Sequence, residues 1–257
     1  MKKKLNVKTR GNIENPVILF IHAFPMSSEM WMEQLQYFSE KFYCVAPDLP
    51  GFGESAPPSH AFTFELYVDA VLDYLKQANI KKAVWCGLSM GGYVALRMYE
   101  RDPGQCSALV LCDTKAAADN NEAKVKRGAA IEALQKNRNQ FVQNQWKALI
   151  GETSQNNSSV ETRFYELIEK ASDAGISSGL VALATRTDST QMLAKIHVPT
   201  LVIVGEEDKV TPVADAEFLA KSISGSQLKK LKNTGHLSNI EDPKIFNETL
   251  SSFVNSL

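Results

Sequence analysis

Nowhere in this chain do lysine and arginine gather into a basic stripe: 28 of them stand against 29 acidic residues, for a net charge of −1. That absence removes the electrostatic footprint of nucleic-acid or anionic-membrane binding and leaves a small molecule as the expected partner. No apolar run is long enough to span a bilayer, so no membrane association is expected. The opening stretch MKKKLNVKTRGNIENP is basic, but polar residues follow where a secretory signal needs an apolar segment. A cytoplasmic location is the corresponding expectation.

Cysteine is scarce and unpatterned. Cys44, Cys86, Cys106 and Cys112 show no C-x-x-C spacing, and three of them sit in apolar strand-like runs, where a thiol packs as a small hydrophobe. No cluster of His, Cys and carboxylates has metal-ligand spacing, and no G-x-G-x-x-G or P-loop follows a strand. No metal and no cofactor is therefore expected.

What the chain does have is length and periodicity. With 257 residues, 44% of them hydrophobic, it can build one large α/β domain or a domain carrying a substantial insertion. The first half alternates strand-length apolar runs (PVILFIHA, FYCVAPD, KAVWCG, ALVLCD) with amphipathic segments near Ser28 to Glu40, Phe64 to Asn79 and Met90 to Arg101. Continuous apolar strands separated by helices specify a mostly parallel central sheet flanked by helices on both faces.

The alternation stops at Asp113. From Lys115 to about Thr190 the pattern is helical and polar, with aromatics in NQFVQNQWKALI and ETRFYELIEKA and a loop at GETSQNNSSVE. It resumes with VPTLVIVGEED, VADAEFLAKSI, SQLKKLKN and DPKIFNETLSSFVNSL as strand, helix, shorter strand and helix. The expected organisation is a core of residues 1–114 and 191–257 with a helical cap, 115–190, inserted.

The stretch AVWCGLSMGGYVAL places Ser89 between glycines where a strand gives way to a helix. A sharp strand-to-helix turn forces its central residue into a strained conformation, and the glycines relieve the crowding around it. Such a serine stands at the carboxyl end of the sheet, where α/β ligands bind, beside a helix N-terminus that favours developing negative charge. Alone, G-x-S-x-G is also what a turn needing glycines looks like. A serine hydroxyl is a poor nucleophile without a base and an acid to orient it. Asp208 closes LVIVGEED just past a buried strand, and His236 lies in NTGHLSNIEDP before the last helix, giving the chain order Ser, Asp, His.

Taken together, HAFP, DLPGFGES, GLSMGG, GEED and GHLSNIEDP resemble the α/β-hydrolase superfamily across essentially the whole chain. The resemblance implies the α/β-hydrolase fold. It implies His236 as general base toward Ser89, with Asp208 holding the imidazole tautomer. It also implies an oxyanion hole from the backbone N–H groups of Met90 and Phe24. The family often has His-Gly where this chain has His22-Ala23, so a positive φ at position 23 would be strained. Phe24-Pro25 resembles the aromatic-Pro pair of cofactor-free perhydrolases.

Other residues carry plainer readings. Asp113 also follows an apolar strand and rivals Asp208, which fits the commoner pattern. His22 orders its loop, His60 and His197 are surface or strand-entry residues, and Asp48 braces the DLPGFGES turn. Phe141, Trp146, Phe164, Tyr165 and Met192 are cap core. The expected activity is cleavage of a small, fairly apolar carboxylic ester, thioester or lactone through an acyl-enzyme. Relatives on this scaffold also include enol-lactonases and carbon–carbon bond hydrolases. Perhydrolysis, or ligand binding without catalysis, are the alternatives. Dehalogenase and epoxide-hydrolase chemistry needs a carboxylate nucleophile, and the elbow residue here is serine.

Overall fold

A computed structural model describes residues 5–57 and 63–257. In chain order the elements are β1 (Val7–Arg10), β2 (Val17–Ile21), α1 (Met32–Phe38), β3 (Tyr43–Pro47), α2 (Glu65–Gln77), β4 (Ala83–Leu88), α3 (Met90–Arg101) and β5 (Cys106–Cys112). There follow α4 (Asn121–Lys136), α5 (Arg138–Leu149), α6 (Ser158–Glu169) and α7 (Asp173–Ala184). The chain ends with β6 (Thr200–Gly205), α8 (Val213–Ser222), β7 (Gln227–Leu231), α9 (Ser238–Glu241) and α10 (Pro243–Val254).

The seven strands form one sheet in the order β1-β3-β2-β4-β5-β6-β7, antiparallel between β1 and β3 and parallel elsewhere. β4 and β6 are buried at every position, and β2 and β5 at all but one. Burial on both faces explains why their sequences are unbroken apolar runs. All four cysteines are free and buried in β3, β4 and β5. Burial pushes the thiols of Cys44 and Cys106 up to about 12, leaving both as packing groups.

β1 is the element that the sequence pattern does not announce. VKTR is half-buried or exposed throughout, and its antiparallel pairing with β3 is made by backbone atoms. The amphipathic segment from Ser28 opens as a 3-10 turn before α1, with the Ser27 hydroxyl accepting from Glu29 N–H. The GETSQNNSSVE loop ends earlier than its composition suggests. Asn157 caps α6 by accepting from the N–H groups of Ser159 and Val160, so the following serines are already helical.

The four helices α4 to α7 all lie between β5 and β6 in the chain. α4 packs against α7 and α5. Trp146 meets Phe164 edge-on at 5.3 Å and stacks with Tyr165 at 6.0 Å between centroids. Phe141 and Met192 are buried as well. Among the described residues no helix is long and apolar enough to cross a membrane.

Register places the loops that matter. Leu88 pairs with Cys112, and Cys112 with Ile203, so residues 89, 113 and 205 onward leave the same edge of the sheet.

Candidate active site

Ser89 joins β4 to α3 with φ 54° and ψ −112°, a region that L-residues enter only when their surroundings enforce it. The enforcement is visible in the neighbouring atoms. A Cβ at Gly87 would stand 2.2 Å from the Gly91 carbonyl oxygen, and one at Gly91 would stand 2.0 Å from the Ile21 oxygen. The turn is pinned by Ser89 N–H donating to Cys112 O (2.9 Å) and by Thr114 Oγ1 donating to Ser89 O (2.8 Å).

From this turn a continuous hydrogen-bonded chain runs through three separate loops. Ser89 Oγ lies 2.7 Å from His236 Nε2, and His236 Nδ1 lies 2.8 Å from Asp208 Oδ2. Thr211, which the sequence reading did not single out, completes the acid. Its hydroxyl donates to Asp208 Oδ2 at 2.7 Å and lies 3.2 Å from His236 Nδ1, while its N–H and that of Val210 donate to Asp208 Oδ1. A threonine three residues after an acid that ends a strand is the signal that could have found it.

Burial pushes the Asp208 carboxyl up, but the charge and hydrogen bond of His236 and the Thr211 donors hold it below its ordinary value. Burial likewise opposes protonation of His236, and the Asp208 carboxylate overrides it, raising the imidazole above 6.5.

Asp113 leaves the sheet beside Ser89 but does not hydrogen-bond His236. Its Oδ1 accepts from Gly205 N–H at 2.8 Å, and its Oδ2 accepts from Ser238 Oγ at 2.6 Å and Ser238 N–H at 3.4 Å. Full burial, with Asp208 adding to it, drives its carboxyl well above the ordinary range.

The N–H groups of Phe24 and Met90 make no hydrogen bond among the described residues. Met90 opens α3, where the first N–H groups have no helical partner. Ala23 does not have a positive φ, so alanine in place of the frequent glycine carries no strain there. The Phe24–Pro25 peptide is cis. His22 bridges this loop to the next. Nδ1 donates to Ala23 O (2.9 Å) and Nε2 accepts from Leu49 N–H (2.9 Å), which fixes a neutral tautomer that burial also favours.

Asp48 accepts from the N–H groups of Ser28 and Glu54 and from Asn6 Nδ2. A Cβ at Gly53, whose φ is +52°, would strike its carboxylate at 2.3 Å. His197 is exposed before β6, and His60 lies outside the described residues. Among the described residues no group of three His, Cys, Asp or Glu side chains converges as metal ligands.

Ser89 and His236 open onto a cavity of about 370 Å³. Its apolar wall is Phe24, Leu149, Leu180, Leu183 and Val210 rather than the cap aromatics. Its polar lining includes Tyr93, Lys115, Asp119, Lys126, Arg127 and Lys209.

The family model for the alpha/beta hydrolase fold matches residues 16–243. A 3-oxoadipate enol-lactonase of Acinetobacter baylyi is 29% identical over 264 residues, covering 96% of this chain and 92% of the relative. Among solved structures, a thermophilic esterase from Thermogutta terrifontis with malate bound superposes with a TM-score of 0.92 at 29% identity, over 98% of this chain and 93% of that one. The enol-lactonase from Burkholderia xenovorans LB400 gives a TM-score of 0.89 at 25% identity, over 98% and 96%.

Proposed function

Because the chain belongs to the α/β-hydrolase fold family, we propose that it is a serine hydrolase that cleaves a small carboxylic ester, thioester or lactone. The observation that carries this reading is the unbroken chain from Ser89 Oγ through His236 to Asp208, with Ser89 and His236 opening onto a cavity of about 370 Å³. The ester and lactone substrate class draws further support from the enol-lactonase and esterase relatives.

In this reading His236 Nε2 takes the Ser89 proton as Oγ attacks the acyl carbon. Asp208 keeps Nδ1 protonated and stabilises the imidazolium. The unpaired N–H groups of Phe24 and Met90 receive the oxyanion, where donors fixed in advance need no reorganisation. His236 then protonates the leaving alkoxide, an acyl-enzyme remains on Ser89, and water activated by the same imidazole releases the acid. Residues 1–114 and 191–257 serve as the catalytic core. The insertion 115–190 serves as a cap, since Leu149, Leu180 and Leu183 wall the cavity. The proposed setting is cytoplasmic.

Hydrolysis of p-nitrophenyl esters from acetate to octanoate tests this, wild type against Ser89→Ala. Turnover with a first-turnover burst is expected for the wild type. Loss of about 10⁴-fold or more is expected for Ser89→Ala and equally for His236→Ala, because triad members act as a unit. Turnover unchanged in Ser89→Ala would overturn the assignment.

A second reading rests on Phe24, which lines the cavity next to Pro25 in the manner of cofactor-free perhydrolases. There hydrogen peroxide replaces water in attacking the acyl-enzyme. Peracid formation from acetate and peroxide, compared with Ser89→Ala, separates the two.

A further inference from the structure

The polar wall of the cavity is built around one arginine whose binding edge is open. Arg127 gives its Nε to Asp119 Oδ2 at 2.9 Å, and no hydrogen bond occupies its two terminal nitrogens among the described residues. Asp119 is itself fixed from behind. Arg186, buried with 2% of its side chain exposed, donates Nη1 to Asp119 Oδ1 at 2.6 Å and Nη2 to Ala117 O at 2.6 Å. The Asp119 carboxylate thus lies between two guanidinium groups, Asp188 adds its charge on the Arg186 side, and the terminal nitrogens of Arg127 are left open at the cavity.

Two further groups reach the same wall. Tyr93, 6% exposed, lies with its ring 4.3 Å from the Arg186 guanidinium, and its hydroxyl makes no hydrogen bond among the described residues. That hydroxyl opens onto the cavity, where it is free to donate to a ligand oxygen. Lys115 follows β5 at the cavity edge and forms no ion pair among the described residues. Lys126 and Lys209 also line the cavity, but each is already paired at an exposed rim, with Glu122 and with Glu152. α4 supplies its part through one face: Ala123, Arg127 and Ala130 recur at helical spacing, so small side chains leave the guanidinium accessible.

A guanidinium fork with open terminal donors, a phenol hydroxyl facing the cavity and the Lys115 ammonium at its edge together match a carboxylate and oppose a neutral alkyl end. Arg presents paired N–H donors that fit the two oxygens of a carboxylate, and Asp119 holds the fork in place before the ligand arrives. We propose that Arg127, with Tyr93 and Lys115, forms a subsite for a carboxylate carried by the substrate, opposite the apolar wall that takes its hydrocarbon part. This rests on the hydrolase reading for its substrate, but the subsite binds independently of Ser89 chemistry.

Two ester series test the proposal. Monomethyl esters of the C4 to C6 dicarboxylic acids place the charge on the acyl half, and 4-acetoxybutanoate places it on the alcohol half. Each is compared with its methyl-esterified neutral counterpart, followed by methanol or acetate release. The wild type is expected to favour at least one charged substrate by about 10- to 100-fold in kcat/KM, the range of charge-assisted hydrogen bonds. Arg127→Gln should remove that preference, read as the ratio of charged to neutral kcat/KM within each variant. Arg127→Lys, which keeps the charge without the fork, should fall between.

Binding of glutarate to Ser89→Ala, with and without Arg127→Gln, gives a readout that needs no turnover. Glutarate binding that depends on Arg127 supports the subsite even if no ester is cleaved, an outcome that would sink the hydrolase reading alone. Ser89-dependent cleavage of neutral esters with no preference for charge, and glutarate binding indifferent to Arg127, would overturn the subsite and leave the hydrolase standing.

Discussion

Asp208 and Asp113 leave the carboxyl ends of adjacent strands, and their surroundings shift them in opposite directions. Asp208 faces His236 and three further donors, which favour the carboxylate. Asp113 is fully buried, and burial together with the Asp208 charge raises its carboxyl against the donors Gly205 N–H and Ser238. Asparagine is uncharged and keeps one oxygen to accept from Gly205 N–H, while the Ser238 hydroxyl turns from donor to acceptor for its amide. Asp113→Asn is therefore expected to keep kcat within about threefold, whereas Asp208→Asn should lose on the order of 10⁴-fold, as the imidazole tautomer is no longer enforced. The reverse ranking would assign the acid to Asp113. The linkage has a definite sign. With a folded value above its ordinary 3.8, Asp113 contributes stability at low pH that is lost as the pH rises toward the folded value. Asp113→Asn should thus gain in Tm relative to wild type as the pH rises above 3.8. His236, raised above 6.5, sets the acid limb of kcat/KM: activity falls as the pH drops through a value higher than that of free imidazole.

At the scale of elements, the turn after α5 holds the two loops that carry His236 and Asp208. His236 N–H donates to Leu149 O at 2.9 Å. Thr153 donates its N–H and hydroxyl to Glu207, next to Asp208, and Ser154 Oγ donates to Asn233 O. Glu241 of α9 joins them, since its carboxyl accepts from the N–H groups of Gly151, Gly235 and Leu237. Gly151 and Gly235 meet so closely that a Cβ on Gly235 would lie 2.3 Å from Gly151 N. Glu241→Ala strands three buried N–H donors. The expected result is destabilisation of about 2–4 kcal/mol, with kcat falling more than KM rises because His236 loses its fixed position. Glu241→Gln keeps an acceptor oxygen and should recover most of both. Equal loss of kcat in the two variants, with Tm unchanged, would contradict a positioning role.

For the molecule as a whole, what was legible in the sequence follows from burial. VILFI, AVWCGL and TLVIVG read as strands because both of their faces are covered. VKTR did not, because an edge strand held by backbone bonds writes nothing in its side chains. Ser89, Asp208 and His236 were legible because each stands at a strand end within a local motif. Thr211 leaves only the faint signal of its spacing from Asp208, and the link from Asp119 to Arg186 joins residues 67 apart in the chain, which leaves no local pattern. The cavity wall was illegible for the same reason, since which faces of α4 and α7 turn inward depends on packing between distant helices.

The central claim is that these distant loops activate one serine, and exposure to a small fluorophosphonate followed by intact mass and peptide mapping tests it most directly. The account predicts a single adduct on the Ser89 peptide, absent in Ser89→Ala and slowed by about 10³-fold or more in His236→Ala. An adduct that persists in Ser89→Ala, or forms as fast without His236, would contradict it.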